Sequence, residues 1–259
     1  MKYIEKNLNG LPNLEQWVKK KFPHGISKKK KPDEIWSNFK KYQSDIYKET
    51  KETLLSEQGY LCAYCGRRIG KIEDEIIIAA IEELENIVLE KMPQIDTESL
   101  ETALFAGDFQ AIEHVASKGE NRDLMFKYNN LVTVCEGGKK TDEEHCDVAK
   151  WRKSIEIKPT DADCESFFAY RSDGFMSGIN DMATETISTL NLNAKRLKLG
   201  RSTVTVSATQ VFVETLQEIG AEAEQIKALI QDKIQEIYSK PKLDPYCFVK
   251  VYYFRTYPI

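Results

Sequence analysis

Cys62 and Cys65, in YLCAYCGRR, and the stretch from Ala111 to Lys150, AIEHVASKGENRDLMFKYNNLVTVCEGGKKTDEEHCDVAK, concentrate the groups able to bind a metal or move a proton. The stretch holds two of the three histidines, His114 and His145, together with Glu113, the Asn129-Asn130-Leu131 step, Cys135, Cys146 and Asp147. Thiolates from Cys62, Cys65, Cys135 and Cys146 assemble into one tetrahedral site that favours zinc. A closed four-sulfur site is structural, because it leaves no ligand position for substrate. Ten residues separate Cys135 from Cys146 where a compact knuckle has two, and Gly137 and Gly138 give the chain freedom to loop out. Cys164 and Cys247 read as free buried thiols. Taken alone, His114 is more often a satisfied polar residue than a catalyst. The Asn130-Leu131 step leading into Cys135 and the second histidine before Cys146 shift that balance.

These groups need elements to position them. Glu113-His114 sits in a strand pattern with Ile112 and Val115, so the two side chains point to opposite or staggered sides. Tyr60 to Ile69 forms a short knuckle, with Gly59 and Gly66 supplying turn freedom. Upstream, Leu14, Trp17 and Val18 are spaced for a short helix, PHGISKKKKP interrupts, and Asp33 to Glu57 reads as one long amphipathic helix with Asp33 near its N-cap. Lys28 to Lys31 is a solvated loop or a phosphate contact, the former having the greater weight. Between the two cysteine pairs, Glu73 to Leu89 and Ser99 to Phe105, followed by Phe109, read as helices, with Pro93 and Gly107 as punctuation. Downstream, Phe167–Tyr170 and Phe175–Ile179 form a hairpin across the turn Arg171–Gly174. Thr184–Leu190, Asn193–Val211 and Val211–Lys240 are helical, with a bend at Gly220, and the aromatic, β-branched run Leu243–Tyr257 suits a closing strand. The chain divides into a helical region 1–58, a core 59–155 with a helical insertion at about 73–109, and a hairpin and helical region 156–259.

With 259 residues, 41% hydrophobic content and 30% charge, the chain can bury a sizeable core. No apolar run approaches the roughly 20 residues needed to cross a bilayer, and the first residues lack a signal-peptide pattern. The expected location is the cytoplasm, where a CxxC pair more often means metal or redox chemistry than a disulfide. A thioredoxin-like role for CAYC is poor, because no βαβ pattern surrounds it. The net charge of −4 argues against a general nucleic-acid binder, but residues 1–58 carry 13 lysines against 8 acidic residues. Residues 71–113 carry 12 acidic residues against 2 lysines, which fits docking on a partner, shielding from DNA, or a surface decoration.

The order CxxC, EH, NL with VC, then HCD with a lysine three residues on resembles the HNH (ββα-metal) endonucleases whose small core is stapled by a four-cysteine zinc site. More narrowly, IEHV, YNNLVTVC and HCDVAK resemble the retron-associated and Septu-type PtuB-like proteins. FFAYRSDG and ATETISTLNLNAKRL are similar to that family's downstream region, and the likeness covers roughly Tyr60 to Arg201. It implies an α+β, predominantly helical fold built around a zinc-stapled ββα-metal core. It implies a nuclease in antiviral defence, with DNA as the expected substrate and a PtuA-type ATPase as partner in a hetero-oligomer, and no membrane. In this family His114 would be the general base, Glu113 a ligand of a catalytic Mg²⁺ or Mn²⁺, and Asn130 the residue that orients the His114 ring or its loop, Asn129 being the weaker candidate. The last cation ligand is Asp147 by motif register or His145; either could instead be an outer neighbour, or Asp147 a helix cap. Lys150 and Arg152 would face phosphate or solvent. The competing expectation is a non-catalytic zinc-stabilised adaptor.

Overall fold

The computed structural model of the chain describes residues 1–7, 10–70, 94–107, 111–138, 143–206 and 223–256. The expected helix at Glu73–Leu89, Phe109 and the bend at Gly220 lie outside them. The described residues are mostly helical, with two small antiparallel sheets. None of their helices is long and apolar enough to cross a membrane.

The N-terminal third contributes α1 (Pro12–Lys21), α2 (Pro32–Tyr42) and α3 (Ser44–Glu57). The periodicity of residues 33–57 therefore belongs to two helices rather than one, broken at Gln43 (φ −125°, ψ 46°). The break lets α3 fold back, so that the Tyr47 ring meets those of Trp36 and Phe39 at 6.2 and 6.0 Å. Asp33 lies in the first turn, near the N-cap as expected; the cap itself is Lys31, with Pro32 at the first helical position, where its missing N–H costs nothing. A fourth helix, α4 (Thr97–Leu104), begins at Asp96, whose carboxylate accepts the Ser99 N–H at 2.7 Å.

Strand β1 (Ala111–His114) pairs with β2 (Leu131–Val134), Glu113 opposite Val132 and His114 opposite Leu131. The pleat sends alternate residues to opposite faces. Ile112 and Leu131 join an apolar cluster with Leu14, Ile35, Phe39, Leu54, Met125 and Phe126 from the N-terminal helices and the 122–130 loop. Val132 and Val134 join a larger cluster containing the CxxC knuckle, α4 and much of the C-terminal third. The two-stranded sheet thus lies between two cores, which explains why all four residues of β2 are buried. Residues from all three stretches of the sequence share the larger core.

The short helix α5 (Cys146–Lys150) follows, then β3 (Phe168–Tyr170) paired with β4 (Met176–Gly178), close to the expected hairpin. Helix α6 (Asp181–Thr189) is capped by the Asn180 side chain, and residues 195–206 are helical. The chain ends in α8 (Ala223–Ser239) and α9 (Cys247–Thr256), residues 195–206 counting as α7. Where the run Leu243–Tyr257 predicted a strand, residues Cys247–Thr256 form a helix. Cys247, Phe248, Val249, Val251 and Phe254 are all buried, so core packing and contact with α8 override β-propensity.

Candidate metal centre and adjoining cleft

Cys62, Cys65, Cys135 and Cys146 come together with their four sulfurs within 4.8 Å of one another, all buried. The Cys62–Cys146 and Cys65–Cys135 sulfur pairs are 3.9 and 3.8 Å apart. A tetrahedron with zinc–sulfur bonds of about 2.3 Å has edges of about 3.8 Å. The spacing therefore fits a metal ion such as zinc. Among the described residues it is the one cluster of three or more His, Cys, Asp or Glu side chains close enough to hold a metal.

Backbone geometry explains how two distant pairs converge. In the knuckle, the Cys62 N–H donates to Arg67 O at 2.9 Å and the Gly66 N–H to Cys62 O at 3.0 Å, a tight turn in which Gly66 adopts φ +81°. The Ala63 N–H donates to Thr133 O at 3.1 Å, and the Cys135 N–H reaches the Cys62 sulfur at 3.4 Å, sewing the knuckle to β2. The buried Gln58 side chain bonds Leu61 O, Thr133 O and the Thr133 N–H, each within 2.8 Å. On the other side, Gly137 (φ +65°) accepts the His145 N–H at 2.9 Å; a Cβ there would lie 2.6 Å from His145 O. That return is what brings Cys146 back beside Cys135, and the Cys146 N–H is held by Leu190 O at 2.8 Å.

Positive charge surrounds the cluster. The Arg67 guanidinium, 2% exposed, donates to Glu136 at 2.7 Å and to the carbonyls of Thr102 and Phe105 at the end of α4. His145 Nε2 lies 3.9 Å from the Cys135 sulfur, and Nδ1 donates to Glu143 O at 3.2 Å. Burial by itself would lower the His145 pKa, but the Cys135 thiolate raises it above the usual value. Burial pushes the two remaining thiols, Cys164 and Cys247, up to about 12, which makes them inert apolar fillers.

Glu113 and His114 end β1 on opposite faces, yet both line one cleft of about 420 Å³ with Lys31, Asp33, Lys118, Arg122, Lys150, Trp151 and Arg152. Five cationic side chains face two carboxylates there, Asp33 and Glu113. Asp33 meets Lys118 and Arg152, each at 3.2 Å. Arg122 donates to Ser27 O and Lys30 O, so the lysine-rich loop before α2 is drawn to the rim.

The His114 ring packs edge-on to Trp36, with centres 4.4 Å apart. Its Nε2 lies 3.0 Å from Met125 O. A carbonyl only accepts, so Nε2 carries the hydrogen and Nδ1 is left with the lone pair. Burial, aided by the Lys118 and Lys150 charges, lowers the His114 pKa to about 3, so the ring is neutral near pH 7. Asn130 does not touch the ring through these bonds. Its Oδ1 accepts the Ala116 N–H at 2.7 Å, and its Nδ2 donates to Ala116 O and Leu124 O. It thereby fixes the 116–125 loop that presents Met125 O to His114. Asn129, beside it, is exposed.

Glu113 Oε1 accepts from Lys150 Nζ at 2.7 Å, and the same ammonium donates to His114 O at 3.2 Å. Lys150 is 1% exposed, so it is a buried tie between α5 and β1 rather than a surface group. The Glu113 pKa is raised, by burial first and then by the Asp147 charge, against the opposing pull of Lys150. Asp147 therefore lies within electrostatic reach of Glu113. Neither Asp147 nor His145 lines the cleft itself, and His145 is engaged at the cysteine cluster.

Sequence reasoning missed the cleft's N-terminal contributors. Trp36 occupies an apolar position of the helical period, and Lys118, Arg122 and Trp151 belong to no motif. The run of lysines ending at Lys31 was the one available signal. A scan against protein-family models finds none that matches, and no curated protein matches the chain.

Proposed function

We propose that the chain is a metal-dependent HNH endonuclease of the PtuB-like kind, which hydrolyses phosphodiester bonds, DNA foremost, as the effector of an antiviral defence system in the cytoplasm. The observation that carries this reading is His114: a neutral imidazole with its tautomer fixed by Met125 O, opening on a cleft with an excess of cations beside the four-cysteine cluster. The succession of β1, β2 and α5 supports it, being the ββα order of the family the sequence resembles.

In this reading the four cysteines hold a structural Zn²⁺, which fixes the ends of β2 and α5 and so the mouth of the cleft. His114 Nδ1 accepts a proton from the water that attacks phosphorus. A phosphate lodged among Lys31, Lys118 and Arg152 adds negative charge near the ring and raises its proton affinity from the low value of the empty cleft. Asn130 acts at one remove, by holding the loop that orients the ring. Glu113 and Asp147 would hold a catalytic Mg²⁺ or Mn²⁺, which would stabilise charge on the scissile phosphate and the leaving oxygen. Asp147 is preferred to His145 because it shares an electrostatic environment with Glu113. The overall net charge of −4 fits a partner ATPase that delivers the substrate.

The second reading is a non-catalytic zinc-stabilised adaptor, favoured by the Lys150–Glu113 pair, which already neutralises the carboxylate. Incubation of the purified chain, alone and with a co-purifying ATPase, with plasmid, oligonucleotide and RNA in Mg²⁺ or Mn²⁺ separates the two. Cation-dependent cleavage supports the nuclease; its absence on every substrate, with and without the ATPase, favours the adaptor.

A further inference from the structure

Trp151 stands out on the rim of the cleft. It is 74% exposed, the most exposed large apolar side chain among the described residues, and it lines the same cavity as Glu113 and His114. Its backbone adopts φ 52°, ψ −114°, a conformation that glycine accommodates and a bulky side chain rarely does. Holding a tryptophan there strains the backbone, and an indole left in water returns little of that cost through burial. The Arg152 guanidinium carbon lies 5.4 Å from the ring centre, so a cation braces the ring, and Asp33 in turn holds Arg152 at 3.2 Å. An exposed aromatic ring beside a cluster of cations is an arrangement suited to unpaired nucleotides. The base stacks on the ring while the backbone follows the charge. A duplex offers the same phosphates but keeps its base faces covered.

Resting on the nuclease reading above, we propose that Trp151 is a base-stacking, specificity-determining residue. It directs the cleft to nucleic acid whose bases are unpaired at the scissile position. Single strands, loops and flayed ends are then preferred to continuous duplex.

Binding of one short labelled oligonucleotide, as single strand and as duplex, is measured at low salt on the His114→Ala chain, which leaves the probe intact. The single strand binds more tightly. Trp151→Ala lowers single-strand affinity by about tenfold and leaves duplex affinity unchanged, whereas Trp151→Phe keeps most of the affinity. Trp151→Gly relieves the backbone and melts no lower than its parent, so its matching loss of affinity is not unfolding. Unchanged single-strand affinity in Trp151→Ala, or an equal loss on both forms, overturns this inference and leaves the nuclease reading intact. Failure of the His114→Ala parent to bind either form, both alone and with the co-purifying ATPase, overturns both.

Discussion

The cysteine cluster and the cleft beside it share the segment 113–150 but are built on opposite principles. The cluster is closed: four buried thiols match the edges of a zinc tetrahedron, and backbone N–H groups, Arg67 and His145 surround them. The cleft is open: its charges are only partly matched, its imidazole keeps a bare nitrogen, and a tryptophan projects into solvent at its rim. A structural centre has its ligand set complete within the chain, whereas a reactive one leaves bonding capacity for something else. That contrast yields a ranking of how the two regions respond to change.

The largest effect belongs to the closed region. Stripping the metal with a chelator, or Cys65→Ser, removes a ligand set on which the knuckle, β2 and α5 converge. A loss of more than about 4 kcal/mol is expected, seen as a fall in Tm on the order of 10 °C or more in a calorimetric scan. Retention of the parent Tm after verified metal removal breaks the distinction at its root.

Next comes the seam between the regions. Glu113→Ala leaves the Lys150 ammonium buried and unpaired, at a cost of about 3–5 kcal/mol in denaturant unfolding. Adding Lys150→Met restores most of it. If the double variant is no more stable than Glu113→Ala, the pair is not the tie between β1 and α5.

A smaller effect follows from His114. Its folded-state pKa of about 3 lies below the unfolded value of about 6.5. As pH falls below 6.5, the unfolded chain takes up a proton that the folded chain refuses, so stability declines until about pH 3. Between pH 7 and pH 5 this group contributes a loss of about 2 kcal/mol, and His114→Gln lacks it. Parallel pH dependence in parent and variant would place the ring in a more solvated setting. Least affected are Cys164→Ala and Cys247→Ala, which keep the full metal content by elemental analysis and lose about 1 kcal/mol or so of packing.

Much of the closed region was legible in the sequence. The pairing of four cysteines depends on residue type and on glycines that allow a return, both visible at Cys62, Cys65, Gly137 and Cys146. The strand ending at His114 was legible as well, because period-two alternation is local, whereas its partner Leu131–Val134 was not read as a strand. The cleft was less so, since its members come from segments that meet only in the fold. Trp36 and Lys31 arrive from α2 and the loop before it, after a break at Gln43 that the continuous helical period concealed. Lys150 read as facing phosphate or solvent, and only the tertiary pairing with Glu113 reveals it as buried. Asn130 carried its signal in sequence but not its geometry: its amide holds Ala116 and Leu124, not the ring. The helix at Cys247–Thr256 was hidden by strand-forming residues whose choice answers to core packing on α8 rather than to backbone preference.

Parent and His114→Ala chains, assayed side by side for metal content and for cleavage of single-stranded and duplex substrates in Mg²⁺ or Mn²⁺, test the separation of the two regions most directly. The account predicts equal zinc in both and a fall in cleavage of about 10²–10⁴-fold in the variant. Cleavage by His114→Ala at the parent's rate, with its zinc retained, would contradict it.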